Sequence, residues 1–335
     1  MVSVVPHGQP WAEIVATIGD ASITHVWGYP TEPVAAFARR YGIGTVCVRP
    51  EAMLGEVDAV LVPGGRPMPE DHVADTIWSP SEPLGHRPSD HERIGRPFLE
   101  AGVPMLIDKP LADSMREARA LLAARDRGRT LLMSCSAVRY DDQIIAAREI
   151  IQSGSIGPVQ GVTAILGGGP MAVPWFLIHG IECITAIFGY DVAWTNAVAA
   201  DGHFTVGSFR QPYAHAVQLA YRNGPLVNFT LVYERPRREA SERLWPLDLV
   251  PPLYLSLYYN FHFFGSLDHL EVSLRGKNYY HRKINTFCAA VRSGIAPIDD
   301  QTMLENTRIN LAVAESLKSG RPIAPTDLED PGPLT

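Results

Sequence analysis

The alternation of short apolar strands with helices in the first half of the chain is the feature that most constrains its fold. Three predicted strands are almost wholly apolar: Val57–Pro63, Pro104–Ile107 and Thr130–Ser136. Helical segments separate them, among them His91–Ala101 and Ser114–Ala124. Strands joined by such helices form parallel sheets, and strands this apolar must be covered on both faces. We therefore predict an α/β fold whose first domain, residues 1–138, holds a Rossmann-type doubly wound parallel sheet.

The second half of the chain has a different pattern. Strand-like runs follow one another without intervening helices: Val159–Leu166, Trp194–Ala199, Phe204–Phe209, Ala214–Tyr221 and Val227–Tyr233. One helix, His179–Phe188, interrupts the series. Such runs are typical of antiparallel sheets. We predict an α+β domain over residues 139–335, with a mostly antiparallel sheet and a C-terminal helix, 302–319, that packs back on the first domain.

The composition excludes several classes of protein. Of 335 residues, 46% are hydrophobic and 19% charged, which excludes a disordered chain. The net charge of −7 argues against a nucleic-acid partner, because phosphate binding needs a basic surface. We find neither an apolar run of the ~20 residues that a membrane span needs nor a signal peptide. We therefore expect a cytoplasmic protein without a membrane partner or a metal, whose four distant cysteines are free thiols.

Ligands of a doubly wound sheet bind beyond the carboxyl ends of its strands. Four such ends are recognisable in the sequence: Pro6–Gln9, Gly28–Tyr29, Pro63–Gly65 and Lys109–Pro110. Pro110 disfavours a helical conformation at Lys109, so Lys109 is expected to extend from its strand into the crevice. Burial there lowers the pKa of a lysine towards acid–base use.

Several motifs occur in an order that carries a family resemblance. A strand ends in Asp108–Lys109–Pro110, and His91 lies 18 positions before Lys109. Gly154–Val159 (GSIGPV), His179 and the closing segment 294–323 follow in turn. Together they resemble the Gfo/Idh/MocA family, which contains glucose–fructose oxidoreductase, inositol dehydrogenase and relatives, over nearly the whole chain.

The resemblance implies a Rossmann domain, an open-faced sheet domain and a nicotinamide cofactor, NAD or NADP. It further implies a small-molecule substrate, such as a sugar or cyclitol, and a homo-oligomer, dimer or tetramer, formed through the open sheet. The catalytic residues it indicates are Lys109 and His179. The predicted substrate-binding residues are Arg139, Tyr140, Trp175 and Glu182. The predicted cofactor-binding residues are His7, Gly8, Gln9, Tyr29, Pro63, Gly64, Gly65, His91 and Lys109.

The sequence departs from the family at the cofactor. The three glycine places of the dinucleotide fingerprint hold Pro6, Gly8 and Trp11, so only the glycine that lets the backbone approach a diphosphate remains. Gly28 stands where an acid would bind the ribose 2′-hydroxyl, and no Arg or Lys follows until Arg39. The choice between NAD and NADP therefore stays open, with NAD preferred.

The sequence also departs from the family around the substrate. Trp175 stands four residues before His179, where the family's dehydrogenases often carry an aspartate. Because an indole cannot accept a proton, either another acid such as Glu182 substitutes or the proton relay is altered. Arg139 is open to a second interpretation, an interdomain salt bridge. The insertion of residues 66–90 is read either as a lid or as a solvated or oligomer-contact loop.

We therefore expect an NAD(P)-dependent oxidoreductase that acts on a hydroxyl or keto group of a sugar, cyclitol or related polar metabolite. Two alternatives stay open. One is the same fold used without net redox chemistry, as a lyase, a hydrolase or an epimerase with transient oxidation. The other is a cofactor-free partner subunit without enzymatic activity.

Overall fold

A computed structural model describes residues 1–2, 8–28, 31–63, 90–168, 173–206, 209–233, 258–274 and 278–328. The first part of the chain alternates helices and strands. Its strands are β1 (His25–Val26), β2 (Thr45–Val46), β3 (Val60–Val62), β4 (Met105–Ile107) and β5 (Leu132–Ser134). Its helices are α1 (Gly8–Val15), α2 (Thr31–Tyr41), α3 (Asp90–Glu100) and α4 (Met115–Gly128). Two 3-10 turns, Pro50–Met53 and Ala137–Tyr140, complete it.

The strands of this part form one parallel array. β1 pairs with β2, and β4 pairs with both β3 and β5, all in parallel. Val2 joins the two groups, because it bridges Trp27 and its amide donates to the Leu61 carbonyl at 2.8 Å. Counting Val2 as the first strand, the spatial order is 3-2-1-4-5-6, which is the order of a Rossmann fold. The prediction of a doubly wound parallel sheet is confirmed.

A six-stranded sheet dominates the second part. Its strands are β6 (Val159–Gly168), β7 (Val192–Ala199), β10 (Ala214–Tyr221), β11 (Leu226–Tyr233), β12 (Tyr258–Gly265) and β13 (His269–Leu274). Their order is β13-β12-β6-β11-β10-β7, and every pairing is antiparallel except that of β6 with β11. Buried residues alternate with half-buried or exposed ones along β11 and along β12 as far as Phe264. The predicted mostly antiparallel sheet is confirmed, and in the part of the chain that the structure describes the side chains on one of its faces are half-buried or exposed.

One predicted strand is wrong. The run Phe204–Phe209 is not one strand but the core of a hairpin, β8 (His203–Val206) and β9 (Phe209–Pro212), in which Val206 pairs with Phe209. The sequence marks this reversal with Gly207–Ser208, a dipeptide typical of two-residue hairpin links.

Helix α6 (Val173–Phe188) covers the buried face of the sheet and begins earlier than the predicted His179. It lies close to the sheet at Gly180, where a Cβ atom would stand 2.6 Å from the Phe229 ring. The earlier start places Trp175 in the same helix as His179, one turn before it. Residues four apart share a helix face, so the two side chains lie on the same side of α6. Helix α5 (Asp142–Gln152) precedes β6.

Two long helices, α7 (Asn278–Ser293) and α8 (Asp300–Ser319), follow β13. The Asp299 side chain caps α8 by accepting the Thr302 amide at 2.7 Å, which places the helix start two residues before the predicted Thr302. Helix α8 contacts β7, α6 and α4. Arg125 of α4 donates to both carboxylate oxygens of Asp300 at 2.6 and 2.7 Å. Among the described residues, no helix is long and apolar enough to span a membrane.

Candidate active site

The carboxyl edge of the parallel sheet gathers chemically active side chains. Strand β3 is followed by the buried Pro63, and β4 by Asp108, Lys109 and Pro110. Strand β5 leads through Ser136 into the 3-10 turn Ala137–Tyr140. Because parallel strands end on the same side of their sheet, these segments lie at one edge, where Lys109 and Ser136 form hydrogen bonds with α6.

Lys109 is the most perturbed cation of this edge. Its side chain is 6% exposed, and Nζ donates to the Trp175 carbonyl at 2.9 Å. Nζ also lies 5.9 Å from the centre of the Trp175 ring, within cation–π range. Burial, the largest cause, and the charge of Lys283 lower the pKa of Lys109 from 10.5 to about 8, while Asp108 and Glu182 oppose the shift. Near neutral pH this lysine can therefore both give and take a proton.

Lys283 of α7 is a second buried ammonium on the same edge. It is fully buried, and its Nζ donates to Asp108 Oδ1 at 2.7 Å. On its other side the Trp11 ring centre lies 4.9 Å from Nζ. Trp11, in the third glycine place of the fingerprint, is itself fully buried. The indole thus packs against a cation that already has a carboxylate partner.

His179 faces Ser136. His179 Nδ1 and Ser136 Oγ form a hydrogen bond of 2.6 Å, and both residues are buried. The edge of the Tyr259 ring system packs on the imidazole, with ring centres 5.6 Å apart. Lys109 reaches the backbone of α6 one turn before this histidine, so the lysine and the imidazole lie beside the same stretch of helix.

Glu182 supports the same turn. Its Oε1 accepts the Ser136 amide at 2.8 Å, and its Oε2 lies 3.4 Å from Arg139 NH1. Burial raises the pKa of Glu182, although Arg139 and the Ser136 amide pull it down. The carboxylate is therefore connected to His179 through Ser136.

A family model described as an oxidoreductase family with an NAD-binding Rossmann fold matches residues 6–134. This part of the chain therefore matches the model of the Gfo/Idh/MocA family. The match includes the helix start at Gly8, the insertion and the Asp108–Lys109–Pro110 segment. The family is one of NAD-binding oxidoreductases.

Solved structures with the fold of this chain cover nearly all of it at low identity. A probable dehydrogenase from Thermotoga maritima shares 14% identity, covers 98% of both chains and gives a TM-score of 0.75. Scyllo-inositol dehydrogenase from Lactobacillus casei, with NAD(H) and scyllo-inositol bound, shares 12%, covers 97% of this chain and 98% of its own, and also gives 0.75. Myo-inositol dehydrogenase from Corynebacterium glutamicum shares 15%, covers 96% and 97%, and gives 0.70. A search of curated proteins gave no match.

The structure places most of the residues that the Gfo/Idh/MocA resemblance indicates. Lys109, Trp175, His179, Glu182 and Arg139 come together as described above. In this arrangement Arg139 pairs with Glu182, which lies in the same predicted domain, so this pair is not the interdomain salt bridge of the second interpretation. The Tyr140 hydroxyl lies 4.0 Å from Cys135 Sγ, and burial raises its pKa.

The predicted cofactor residues are placed in part. Gly8 begins α1, and His91 is 2% exposed with Nδ1 2.9 Å from the Leu111 carbonyl. His7, Tyr29, Gly64, Gly65 and residues 66–89 of the insertion lie outside the described residues, as does the side chain of Gln9. Within the described ranges, no group of three His, Cys, Asp or Glu side chains is placed to hold a metal ion.

Sequence reasoning missed Ser136 and Lys283. Ser136 follows a strand end, where a small polar residue has no distinctive pattern. Lys283 did leave a signal: it lies four residues after Tyr279 and four before Phe287, both buried, so it occupies the buried stripe of α7. A lysine on such a stripe needs a partner, and Asp108 provides it.

Proposed function

We propose that the chain is an NAD(P)-dependent oxidoreductase that interconverts a hydroxyl and a keto group on a sugar, cyclitol or related polar metabolite. The observation that carries the proposal is Lys109, a buried amine at the carboxyl end of β4. Its Nζ is bonded to Trp175 one turn before His179. A base whose pKa is near neutrality, placed beside an imidazole, can move the proton of an alcohol.

The residues present fit a dinucleotide at two points. Helix α1 begins at Gly8, and the N–H groups of a helix's first turn attract a diphosphate. Lys109 stands at the carboxyl edge of the same sheet, where the nicotinamide end is expected. At the adenosine end, β1 leads to Gly28 without an acid, and the next cation is Arg39 in the last turn of α2. We therefore propose NAD before NADP.

The roles of the side chains follow from their positions. A bound nicotinamide exchanges a hydride with the substrate carbon. Lys109 and His179 hold and move the proton of the substrate oxygen, and the Trp175 carbonyl orients the amine. Lys283 forms an ion pair with Asp108, and Glu182 fixes the turn at Ser136 by accepting a hydrogen bond from the Ser136 amide.

A second candidate function, the same fold without net redox chemistry, is favoured by one observation. Trp175 occupies the place of the carboxylate often found beside the histidine in the family's dehydrogenases, and His179 is bonded to a serine instead. A lyase, hydrolase or epimerase with transient oxidation would keep the cofactor bound and return its hydride.

We further propose the division of the chain at residues 138 and 139, and a homo-oligomer that uses the open face of the six-stranded sheet. Ile165, Val198 and Phe264 are exposed on this sheet, and an open apolar face favours association. The cytoplasm is the proposed location, because all four cysteines are free.

The deciding experiment is calorimetric titration of the protein with NAD and with NADP, followed by absorbance assays on a panel of inositols and sugars. We expect one dinucleotide to bind and at least one polyol to reduce it. His179→Ala is the matched variant: it should keep dinucleotide binding and lose turnover. Binding without net reduction on any substrate favours the second candidate. Binding of neither dinucleotide overturns both and leaves a non-enzymatic partner subunit.

A further inference from the structure

Ser136 links two buried polar side chains of α6, those of His179 and Glu182. Its hydroxyl is bonded to His179 Nδ1 at 2.6 Å, and its amide donates to Glu182 Oε1 at 2.8 Å. Ser136 is fully buried and His179 is 6% exposed. Arg139, from the same 3-10 turn, holds the other oxygen of Glu182. The turn after β5 is therefore fixed to α6 from both ends.

The number of protons at Ser136 decides the direction of its bond to His179. The hydroxyl oxygen already accepts the Val138 amide at 3.2 Å. A hydroxyl carries one proton, and among the described residues His179 Nδ1 is the acceptor within its reach. Were Nδ1 the donor, the serine proton would be buried without a partner, which is costly. The serine therefore donates and Nδ1 accepts.

A neutral imidazole that accepts at one nitrogen carries its proton on the other. We propose that Ser136 is a positioning residue that holds neutral His179 as the Nε2–H tautomer, so that His179 donates a hydrogen bond to the substrate oxygen and Lys109 alone takes the proton. This inference rests on the proposed function for its substrate. It assigns separate roles to two residues that sequence reasoning treated as one pair.

The proposed division of roles balances the reaction. In the oxidative direction the O–H proton passes to Lys109 Nζ, which becomes an ammonium. The electron pair of that O–H bond becomes the second bond of the new C=O, and the C–H electron pair leaves as hydride to the nicotinamide. His179 Nε2–H stays bonded to the oxygen throughout. In the reductive direction the same ammonium returns the proton.

A carboxylate beside the histidine would have the opposite effect. It would accept a hydrogen bond from Nδ1–H and leave a lone pair at Nε2, so that the imidazole could act as a base. Trp175 offers no such acceptor, since an indole N–H only donates. A tryptophan rather than a carboxylate at position 175 and the bond from Ser136 thus both favour the Nε2–H tautomer.

The tautomer can be read directly by NMR of the full-length chain labelled with ¹⁵N in the histidine rings, without cofactor or substrate. His179→Gln assigns the His179 signals among the 11 histidines. At a pH where the imidazole is neutral, we expect a protonated Nε2 and an unprotonated Nδ1. A protonated Nδ1 in the unmodified chain overturns the proposal, and this measurement needs no folded variant.

Variants of Ser136 distinguish a role in positioning the His179 proton from a purely structural role. Ser136→Ala should lose the fixed Nε2–H tautomer and give averaged nitrogen shifts, and Ser136→Thr should restore it. Ser134→Ala, which removes a buried hydroxyl from the last residue of β5, two residues before Ser136, should leave the tautomer unchanged. An unaltered tautomer in Ser136→Ala refutes the role given to the serine. Because this readout uses no nicotinamide, failure of dinucleotide binding would refute the proposed function and leave the tautomer result standing.

Discussion

Two buried ammonium groups at one sheet edge have opposite surroundings. Lys283 has a carboxylate at 2.7 Å and an indole ring at 4.9 Å. Lys109 has a peptide carbonyl at 2.9 Å, and among the described residues its Nζ forms no ion pair. A buried charge with a carboxylate partner is stabilised as a charge, whereas one without a partner loses its proton more easily. The comparison separates a structural lysine from a reactive one.

The largest expected effect is the loss of turnover on changing Lys109. Lys109→Met should lower kcat about 10²–10⁴-fold, the usual contribution of an acid–base group. The same change should not destabilise the fold, because it removes a cation whose burial costs up to about 3 kcal/mol at pH 7 for a pKa lowered from 10.5 to about 8. Steady-state kinetics and urea unfolding measure the two. A variant with full turnover would refute the assigned role.

Lys283 should give the reverse result. Lys283→Met leaves Asp108 buried without its partner and should cost about 3–5 kcal/mol of unfolding free energy. The double variant Asp108→Asn/Lys283→Met should lose less than Lys283→Met alone, because no unpaired charge is left. Urea unfolding of the single and double variants provides the cycle. Equal losses in both would contradict the attribution of the loss to an unpaired carboxylate.

The pH dependence of oxidation should report Lys109. Its amine form accepts the proton, so kcat/KM should rise with pH and level off with a midpoint near 8, whereas reduction should decline over the same range. The charged groups that act on Lys109 are Asp108, Lys283 and Glu182. Because Lys283 lowers the pKa of Lys109, Lys283→Met should move the midpoint upwards. A midpoint that stays in place contradicts this coupling.

The unfolding free energy should also depend on pH through Lys109, and the direction of this dependence can be predicted. The folded chain releases the Lys109 proton near pH 8, while the unfolded chain holds it to 10.5. Between these values the unfolded state binds more protons, so the unfolding free energy contributed by Lys109 rises with pH. Lys109→Met should lack this rise in urea unfolding at pH 8 and pH 10.

The smallest expected effect comes from an exposed ion pair. Arg125 and Asp300 join α4 to α8 with two hydrogen bonds, but the Asp300 side chain is 47% exposed. Asp300→Asn should cost about 1 kcal/mol or less, since exposed pairs contribute little. Comparison of the unfolding free energies of Asp300→Asn and Lys283→Met shows how much burial increases the contribution of a salt bridge to stability.

The sequence predicts the strands and motifs of this molecule better than the contacts between its side chains. Apolar strands such as Val60–Val62 and the motif around Lys109 are local patterns, and both were placed correctly. The start of α6 at Val173 was missed, because an apolar run that includes Pro174 has no cap signal. The partners of Lys283 and His179 lie 175 and 43 residues away along the chain, at Asp108 and Ser136. Only the fold brings such residues together, so local pattern could not pair them.

The bond between Ser136 and His179 has an evolutionary consequence. Ser136 is bonded to the imidazole of His179, and position 175 lies one turn before this histidine in α6, so we expect positions 136 and 175 to vary together. Among descendants of a common ancestor, we expect an acid at position 175 to accompany loss of the hydroxyl at 136, and an aromatic residue at 175 to accompany its retention. Lineages would then divide into two groups, according to which of the two residues determines the imidazole nitrogen that carries the proton.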